Sequence, residues 1–444
     1  WRMCRPCTRR WPPPWDRGGA VSDRPTSYCV MCCMLGERGC LLLTCALITG
    51  AGVWYSSRPT PEYFHSENWW IEKELRALPE SHGPGHGRVV LLTGMAGFVG
   101  YHTARQLHAD GDAVIGLDNF NHYYDVRLKT TRAAHLREEA AAGGAYLRLF
   151  EGDVCDGDLL ELLLRSGRVT NVIHLAAQAG VRYSLKKPLA YVEANVRCFV
   201  TLLEAVKTVN KSIPIAYASS SSVYGLNTQV PFSEKHRIDQ QASLYGATKQ
   251  SNERIAHVYH HLHGLKLTGL RFFTVYGPLG RPDMAYFSFT QAILAGKQLT
   301  EYRNTDGTEL QRDFTFVTDI VSGVCASMRL EAPLEVFNLG NTRPEKVSTL
   351  ISLIESGLGV KANITQAPIS AGDVPMTFAD VSHATELLGY RPKVSLEQGI
   401  AKFLAWYASY YKIELPENGD RVRGHKGDKH RGFKGANRRG RARD

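Results

Sequence analysis

Val89-Val-Leu-Leu-Thr93-Gly94-Met-Ala-Gly97-Phe98-Val99-Gly100 joins an apolar run without a charge to three glycines spaced three apart. The apolar run reads as a strand buried on both faces, and the residues from Gly100 to His108 continue with helical spacing. Strand, glycine turn and helix in that order are the setting a dinucleotide fingerprint requires. Gly94 permits the turn, Gly97 lets the backbone approach a pyrophosphate, and Gly100 lets the helix sit against the strand. The helix N-terminus then offers free N–H groups to the phosphates. A second apolar strand, Ala113-Val-Ile-Gly-Leu117, ends in Asp118. A carboxylate there, roughly 20 residues past the turn, accepts both ribose hydroxyls and repels a 2′-phosphate, which favours NAD over NADP.

Outward from this unit the alternation continues with Tyr146–Phe150 followed by Gly152-Asp153-Val154, then Asn171–Leu175, then Ile213–Ala218. Helical segments separate them, so the expected fold is α/β, a doubly wound parallel sheet of Rossmann type with a smaller C-terminal lobe. Ligands of such sheets bind beyond the carboxyl ends of the strands, which draws attention to Asp153, Ala176-Ala177-Gln178 and Ser219–Ser222. His174 lies inside an apolar strand and reads as a core histidine. Phe314–Val317 and Val336–Leu339 return to strand, Asp319 is the expected cap of the helix after the first of these, and Leu350–Tyr411 supplies helices to the smaller lobe.

Tyr245-Gly-Ala-Thr-Lys249 places a phenol and an ammonium one helical turn apart. The phenol ordinarily titrates near ~10. A lysine charge and a second cation such as an oxidised nicotinamide, each ~5 Å away, would each favour the phenolate by roughly 3 kcal/mol at an effective dielectric of ~20. Together they bring the tyrosine within reach of neutral pH.

Composition bounds the rest. The 444 residues, 43% hydrophobic, are enough for one large domain with extensions. The net charge of +10 sits at the ends: arginines run through the first 38 residues, and 421–443 holds ten Lys or Arg. The middle is nearly balanced, so the charge describes tails and not a nucleic-acid groove. Seven of the ten cysteines precede residue 46, and Cys155, Cys198 and Cys325 read as small buried thiols and not a disulfide framework. Cys4-x-x-Cys7 lacks a partner pair, and no metal site is expected. The uncharged run 40–55 is a little short for a ~30 Å hydrocarbon core but follows the arginines, so a single membrane anchor with a cytoplasmic N-terminus is one reading. A cleaved signal or an organelle transit segment is the other. Expected boundaries are 1–39 basic and Cys-rich, 40–55 anchor, 56–87 a proline-rich stem holding a short helix within 67–78, 88–411 the catalytic domain, and 412–444 a basic disordered tail. Within 88–411 the cofactor part is about 88–270 and 314–342, and the substrate lobe about 271–313 and 343–411. Asn210-Lys-Ser212 and Asn363-Ile-Thr365 are glycosylation sequons if the domain is lumenal.

From Gly94 to Tyr411 the chain carries, in order, TGMAGFVG, LDNFNHYYD, HLAAQAGVRYS, a serine run before VYG, YGATK, RFFTVYGP with GRPDM, and RDFTFVTDI. In these motifs it resembles the extended short-chain dehydrogenase/reductase superfamily of nucleotide-sugar enzymes, and within it the UDP-glucuronate 4-epimerases. The resemblance implies Ser220, Tyr245 and Lys249 as catalytic residues. It implies NAD held by Gly94, Gly97, Phe98, Val99, Gly100, Asp118, Asn119, Asp153, Val154, Leu175, Ala176, Ala177, Tyr245, Lys249 and Phe272. The substrate, a UDP-sugar acid, is expected against Arg182, Ser220, Ser221, Ser222, Thr274, Arg281 and Arg312, with Thr274 and Arg281 on the sugar carboxylate and Arg312 on the diphosphate. The second diphosphate arginine of UDP-galactose enzymes has no counterpart in Ile369–Val374. Related dehydratases place Asp-Glu after the catalytic hydroxyl, and decarboxylases a Glu before Val-Tyr-Gly. Here Ser221 and Ser222 stand at those positions and lack that acid–base capacity. A homodimer in the Golgi membrane with a lumenal catalytic domain is the expected setting. Another NAD-dependent sugar-nucleotide epimerase or decarboxylase, and a non-catalytic NAD-binding scaffold, stay as alternatives.

Overall fold

The computed structural model describes residues 69–78, 87–304, 306–330, 332–369 and 374–416. The run 40–55, Cys4 and Cys7, most of the stem, residues 370–373 and the basic tail beyond 416 lie outside the described residues. Among the described residues, no helix is long and apolar enough to cross a membrane.

In chain order the strands are β1 Val89–Thr93, β2 Ala113–Asp118, β3 Leu147–Glu151, β4 Asn171–His174, β5 Ile215–Ser220, β6 Leu267–Phe272, β7 Thr274–Tyr276, β8 Gln298–Arg303, β9 Gln311–Phe316, β10 Leu334–Leu339, β11 Pro344–Lys346, β12 Asn363–Pro368 and β13 Met376–Thr377. Seven of them form one parallel sheet in the order β10-β6-β5-β4-β1-β2-β3. The strand order reverses at β1, between β4 and β2, and the glycine turn therefore opens at the crevice where such sheets hold ligands. β1 is buried throughout. Its side chains alternate between two cores: Val90 and Leu92 join Ile173, Ala216 and Leu270 on one face, while Val89 and Leu91 join Val172, Ile215 and Leu267 on the other. This two-sided burial is why the run is apolar without alternation. At its start Arg88 and Asp112 form a buried ion pair at 2.6 Å.

The smaller sheets, β7, β9, β11 and β13 in one and β8 with β12 in the other, lie with helices Ala285–Leu294 and Leu396–Tyr411 beyond the C-terminal part of the sheet. The last helix starts on a capping box between Ser395 and Gln398.

Several expectations change. β5 starts at Ile215, past Pro214, which has no N–H for the ladder. Asp319 is not a cap. The helix Val317–Ser327 has Phe316 at its N-cap, and the Asp319 carboxylate accepts the backbone N–H groups of Lys393 and Val394, each at 3.0 Å, tying the last loop to this helix. The stem helix Trp69–Arg76 packs on the sheet: Ile71, Leu75 and Leu78 enter the second core, and Trp70 meets Phe150. Cys155 and Cys198 are bonded to each other as a disulfide across 43 residues, and the reading of them as separate buried thiols is corrected. No local pattern announces that pairing, because β3 and the helix Cys198–Asn210 meet only in the tertiary fold. Cys325 alone fits the earlier reading, buried, with its thiol pushed up to about 12 by burial. His174 is a core histidine: its Nδ1 meets Thr93 Oγ1 at 2.8 Å, and burial, then the Lys249 charge, hold its pKa down at about 3.

Candidate active site

A cavity of about 1000 Å³ lies along the carboxyl ends of the sheet strands and beneath the smaller sheets. Every residue named above for cofactor or substrate lines it. One end is the glycine turn. Gly94 has φ +74°, and a Cβ there would stand 2.7 Å from the Ala176 amide nitrogen. A Cβ on Gly100 would lie 2.0 Å from the Gly94 carbonyl oxygen, so the helix Phe98–Ala109 reaches the turn only with glycine there. No side chain caps that helix, which leaves its first N–H groups facing the cavity.

Asp118 closes this end. Its Oδ2 accepts the Ala96 N–H at 3.1 Å, and its Oδ1 accepts the Phe120 N–H at 2.9 Å and Lys129 Nζ at 3.3 Å. A carboxylate offers about four lone-pair sites, so the buried side chain retains capacity for a hydroxyl. Asn119 donates to Asp153 Oδ2 at 2.9 Å, drawing the loops after β2 and β3 together. The donor set and the glycine cradle fit a dinucleotide.

At the middle of the cavity stands the helix Leu244–His263. Ser243 starts it by accepting the Gly246 N–H, and Gly264 stops it in the left-handed region. Tyr245 and Lys249 fall on its inner face. Lys249 is buried; its Nζ donates to the Ala218 carbonyl at 2.8 Å, and burial lowers its pKa to about 8. Burial raises the Tyr245 phenol above its ordinary value, while a hydrogen bond with Ser220 and the Arg281 charge pull it back in part. One of the three ammonium N–H groups is on the strand carbonyl, and at the phenol burial outweighs Ser220 and Arg281.

Ser220 ends β5 and accepts the Ser222 N–H at 3.1 Å, which turns the serine run into the 3₁₀ turn Ser221–Tyr224. Behind it a buried network fixes strand and helix: Ser219 donates to Glu253 Oε1 at 2.6 Å, and Arg271 grips Glu253 through Nε at 2.9 Å and Nη2 at 2.7 Å. Arg271 also donates to Tyr224 Oη at 2.9 Å, which donates on to Asn338.

Across the cavity Thr274 opens β7 and Arg281 follows in the next loop. Arg281 is already engaged: its Nε meets Asp283 Oδ1 at 3.0 Å, its Nη2 meets the other oxygen, and Tyr123 donates to Asp283 Oδ2 at 3.1 Å. Burial opposes the charge on Asp283, but Arg281 outweighs it and holds the carboxylate below its ordinary pKa. Arg182 stacks over Tyr302, with 4.8 Å from its Cζ to the ring centroid. Arg312 reaches the cavity from β9 and donates to the Gln311 and Pro375 carbonyls. Sequence reasoning missed Tyr123, Asp283 and Tyr302. The first two lay inside motifs already quoted, NHYYD and GRPDM, where a second charged group two residues from an arginine was the available signal.

Residues 91–403 match the family model described as GDP-mannose 4,6 dehydratase. Two Arabidopsis thaliana proteins, UDP-glucuronate 4-epimerase 6 and UDP-glucuronate 4-epimerase 4, are 49% and 50% identical over 358 and 356 residues, each spanning 77% of this chain and 76% and 80% of their own length. Among solved structures, a UDP-glucuronic acid 4-epimerase from Bacillus cereus in complex with UDP-glucuronic acid and NAD is 33% identical, covers 73% of this chain and 100% of its own, and superposes with a TM-score of 0.66.

Proposed function

The chain belongs to the UDP-glucuronate 4-epimerases of the extended short-chain dehydrogenase/reductase family, and from that membership we infer that it interconverts UDP-glucuronate and UDP-galacturonate with bound NAD. The observation that carries the reading is one cavity in which Ser220 and Tyr245 face Thr274 and Arg281, with hydroxyls and no carboxylate at Ser221 and Ser222.

NAD would be held at its phosphates by Gly94, Gly97, Phe98, Val99 and Gly100, at a ribose by Asp118 and Asn119, and at the adenine by Asp153 and Val154. Leu175, Ala176, Ala177, Phe272 and Lys249 border its nicotinamide half. When bound there, NAD would supply reversible hydride chemistry at C4. Tyr245 Oη removes the C4 hydroxyl proton, and Ser220 closes the hydrogen-bond path to that oxygen. Burial raises the phenol in the chain alone, and a cation bound beside it would lower it.

The 4-keto acid formed from such a sugar loses CO₂ when the breaking bond stands perpendicular to the carbonyl plane. Thr274 and Arg281 hold the carboxylate out of that geometry. Arg281 has five N–H groups; Asp283 takes those on Nε and Nη2, fixing the plane of the fork and leaving the remainder for the sugar acid. Arg182 and Arg312 serve the same pocket and the diphosphate.

Incubation with UDP-glucuronate and no added NAD, followed by separation of products, tests the reading. UDP-galacturonate is the expected product; UDP-xylose points to a decarboxylase, and a folded, NAD-occupied protein without turnover to a scaffold.

We further place the run 40–55 in a Golgi membrane with the catalytic domain lumenal. Asn210 and Asn363 are exposed, and a Cys155–Cys198 disulfide suits an oxidising compartment. A glycosidase-sensitive mass shift is the expected result. We also propose a homodimer through Leu185, in the turn before helix Pro188–Tyr191, Leu189 on that helix, and Leu262 on helix Leu244–His263, which are 63, 80 and 64% exposed; light scattering at twice the chain mass checks it.

A further inference from the structure

The Cys155–Cys198 disulfide sits at the end of the cleft lined by Asp153 and Val154, where the adenine of NAD would lie. Cys155 lies two residues after Asp153 in the loop that follows β3, and Cys198 is the first residue of the helix Cys198–Asn210 and lines the cavity. Their Cα atoms are 4.3 Å apart. Asp153 is built into the same knot: its Oδ1 accepts the Cys155 N–H at 2.8 Å and lies 4.0 Å from Cys198 Sγ, and its Oδ2 accepts from Asn119. Immediately before Cys198 runs the π-helical turn Val192–Arg197. Within it Asn195 donates to the Gln178 carbonyl at 3.0 Å and to Thr248 Oγ1 at 3.0 Å, and its carbonyl accepts Asn252 Nδ2 at 2.6 Å. A continuous set of bonds thus runs from the adenine loop, through the disulfide and the π turn, to the helix that carries Tyr245 and Lys249.

We propose that this disulfide is a cofactor lock: its formation fixes the Asp153 loop against the Cys198 helix and slows the release of NAD. The proposal rests on the reading that NAD occupies this cleft. The enzyme regenerates its cofactor in every cycle, so retention and not exchange is what turnover requires. Without the bond, the loop 152–156 is held to the Cys198 helix and the turn before it by packing and by two weak thiol contacts, Cys198 with Asp153 Oδ1 and Cys155 with the Glu193 carbonyl, each at 4.0 Å. With it, two of the cofactor-facing segments form one covalent unit, and less freedom is lost when NAD binds. The linkage is reciprocal, so bound NAD must favour the disulfide by the same factor by which the disulfide favours NAD.

Formation needs an oxidant, here a small-molecule disulfide of the glutathione class. One cysteine thiolate attacks the donor and expels a thiol, and the second cysteine attacks the mixed disulfide and expels the other. Two protein thiols are oxidised, one donor disulfide is reduced, and the two protons end on the released thiols. Dithiothreitol reverses this, closing to its own cyclic disulfide.

The experiment uses the full-length protein with EDTA present, because Asp153 and the two sulfurs lie within 4.8 Å and the dithiol form is a set of potential metal donors. NAD is loaded, excess is removed, and its release is followed before and after dithiothreitol, with thiol titration or mass mapping reporting the state of Cys155 and Cys198. With association equally fast in both states, the lock predicts release at least ~5-fold faster from the reduced protein, the lower end of the usual range of affinity changes for coupled sites. In a glutathione redox buffer, saturating NAD shifts the thiol–disulfide midpoint toward the reduced side of the buffer by the factor by which oxidation raises the equilibrium affinity for NAD. Cys155→Ser releases NAD at the reduced rate and no longer responds to dithiothreitol, which separates this bond from the other cysteines of the chain. Equal release from oxidised and reduced wild-type protein overturns the lock, even if the variant does not fold. Mapping that finds both thiols free in the protein as isolated, and unable to pair with oxidised glutathione, also overturns it. Protein that takes up no NAD in either state overturns the cofactor reading itself, a result distinct from equal retention.

Discussion

Replacing Lys249 with methionine is expected to stabilise the NAD-free protein while disabling it. The side chain is 2% exposed, donates to the Ala218 carbonyl, and has its pKa lowered by burial from 10.5 to about 8. At about 1.4 kcal/mol per pH unit this is about 3 kcal/mol against the charged form in the folded state. Methionine removes that penalty and the hydrogen bond, the latter worth about 1 kcal/mol, for a net gain of roughly 2 kcal/mol. At about 2–4 °C per kcal/mol for domains of this order of size, the melting temperature rises by roughly 4–8 °C near pH 7. The pH dependence identifies the cause. Below pH 8 the lysine is protonated in both folded and unfolded chains, and the wild type bears the full penalty. Between pH 8 and 10.5 the unfolded chain binds more protons than the folded one, so wild-type stability rises with pH and the advantage of the variant closes. Thermal melts of both proteins, stripped of cofactor, across pH 7 to 10.5 provide the assay. A variant less stable than wild type at pH 7, or a gap that does not shrink as pH rises, would refute the reasoning. Turnover of UDP-glucuronate in the same variant falls by ~10²-fold or more if the ammonium supports proton transfer.

Tyr245→Phe keeps the ring packed against Tyr191 but removes the acid–base oxygen; turnover falls by ~10²–10⁴-fold while the protein still retains NAD, and activity within tenfold of wild type would reassign the base. Arg281→Ala leaves the Asp283 carboxylate with Tyr123 and its own backbone N–H and frees the sugar carboxylate, so UDP-xylose appears among the products; intact epimerisation without it would remove the carboxylate role. Glu253→Ala strands the Arg271 guanidinium, whose side chain is 4% exposed, and costs about 3–5 kcal/mol, read as a lower urea midpoint, with a slower kcat because Ser219 loses its acceptor beside the 3₁₀ turn.

The dinucleotide site was legible at Gly94, Gly97, Gly100 and Asp118 because its chemistry is local: a strand, a turn and a helix consecutive in the chain specify their own geometry. Tyr245 and Lys249 were legible for the same reason, four residues on one helix. Asp319 was misread because a carboxylate near a helix start satisfies the capping rule equally well whether it bonds its own helix or, as here, a loop more than seventy residues away. The Tyr123 bond to Asp283, the Lys249 hydrogen bond to the Ala218 carbonyl, and the Cys155–Cys198 bond had no local signature.

The sequence by itself determined the parallel α/β fold, the cofactor turn and the types of side chain that do the chemistry, since periodicity, glycine placement and residue identity act over a few residues. Only the tertiary structure decided which partner each charge takes and how far burial moves each proton, because both depend on groups that meet from distant strands in a space water does not reach.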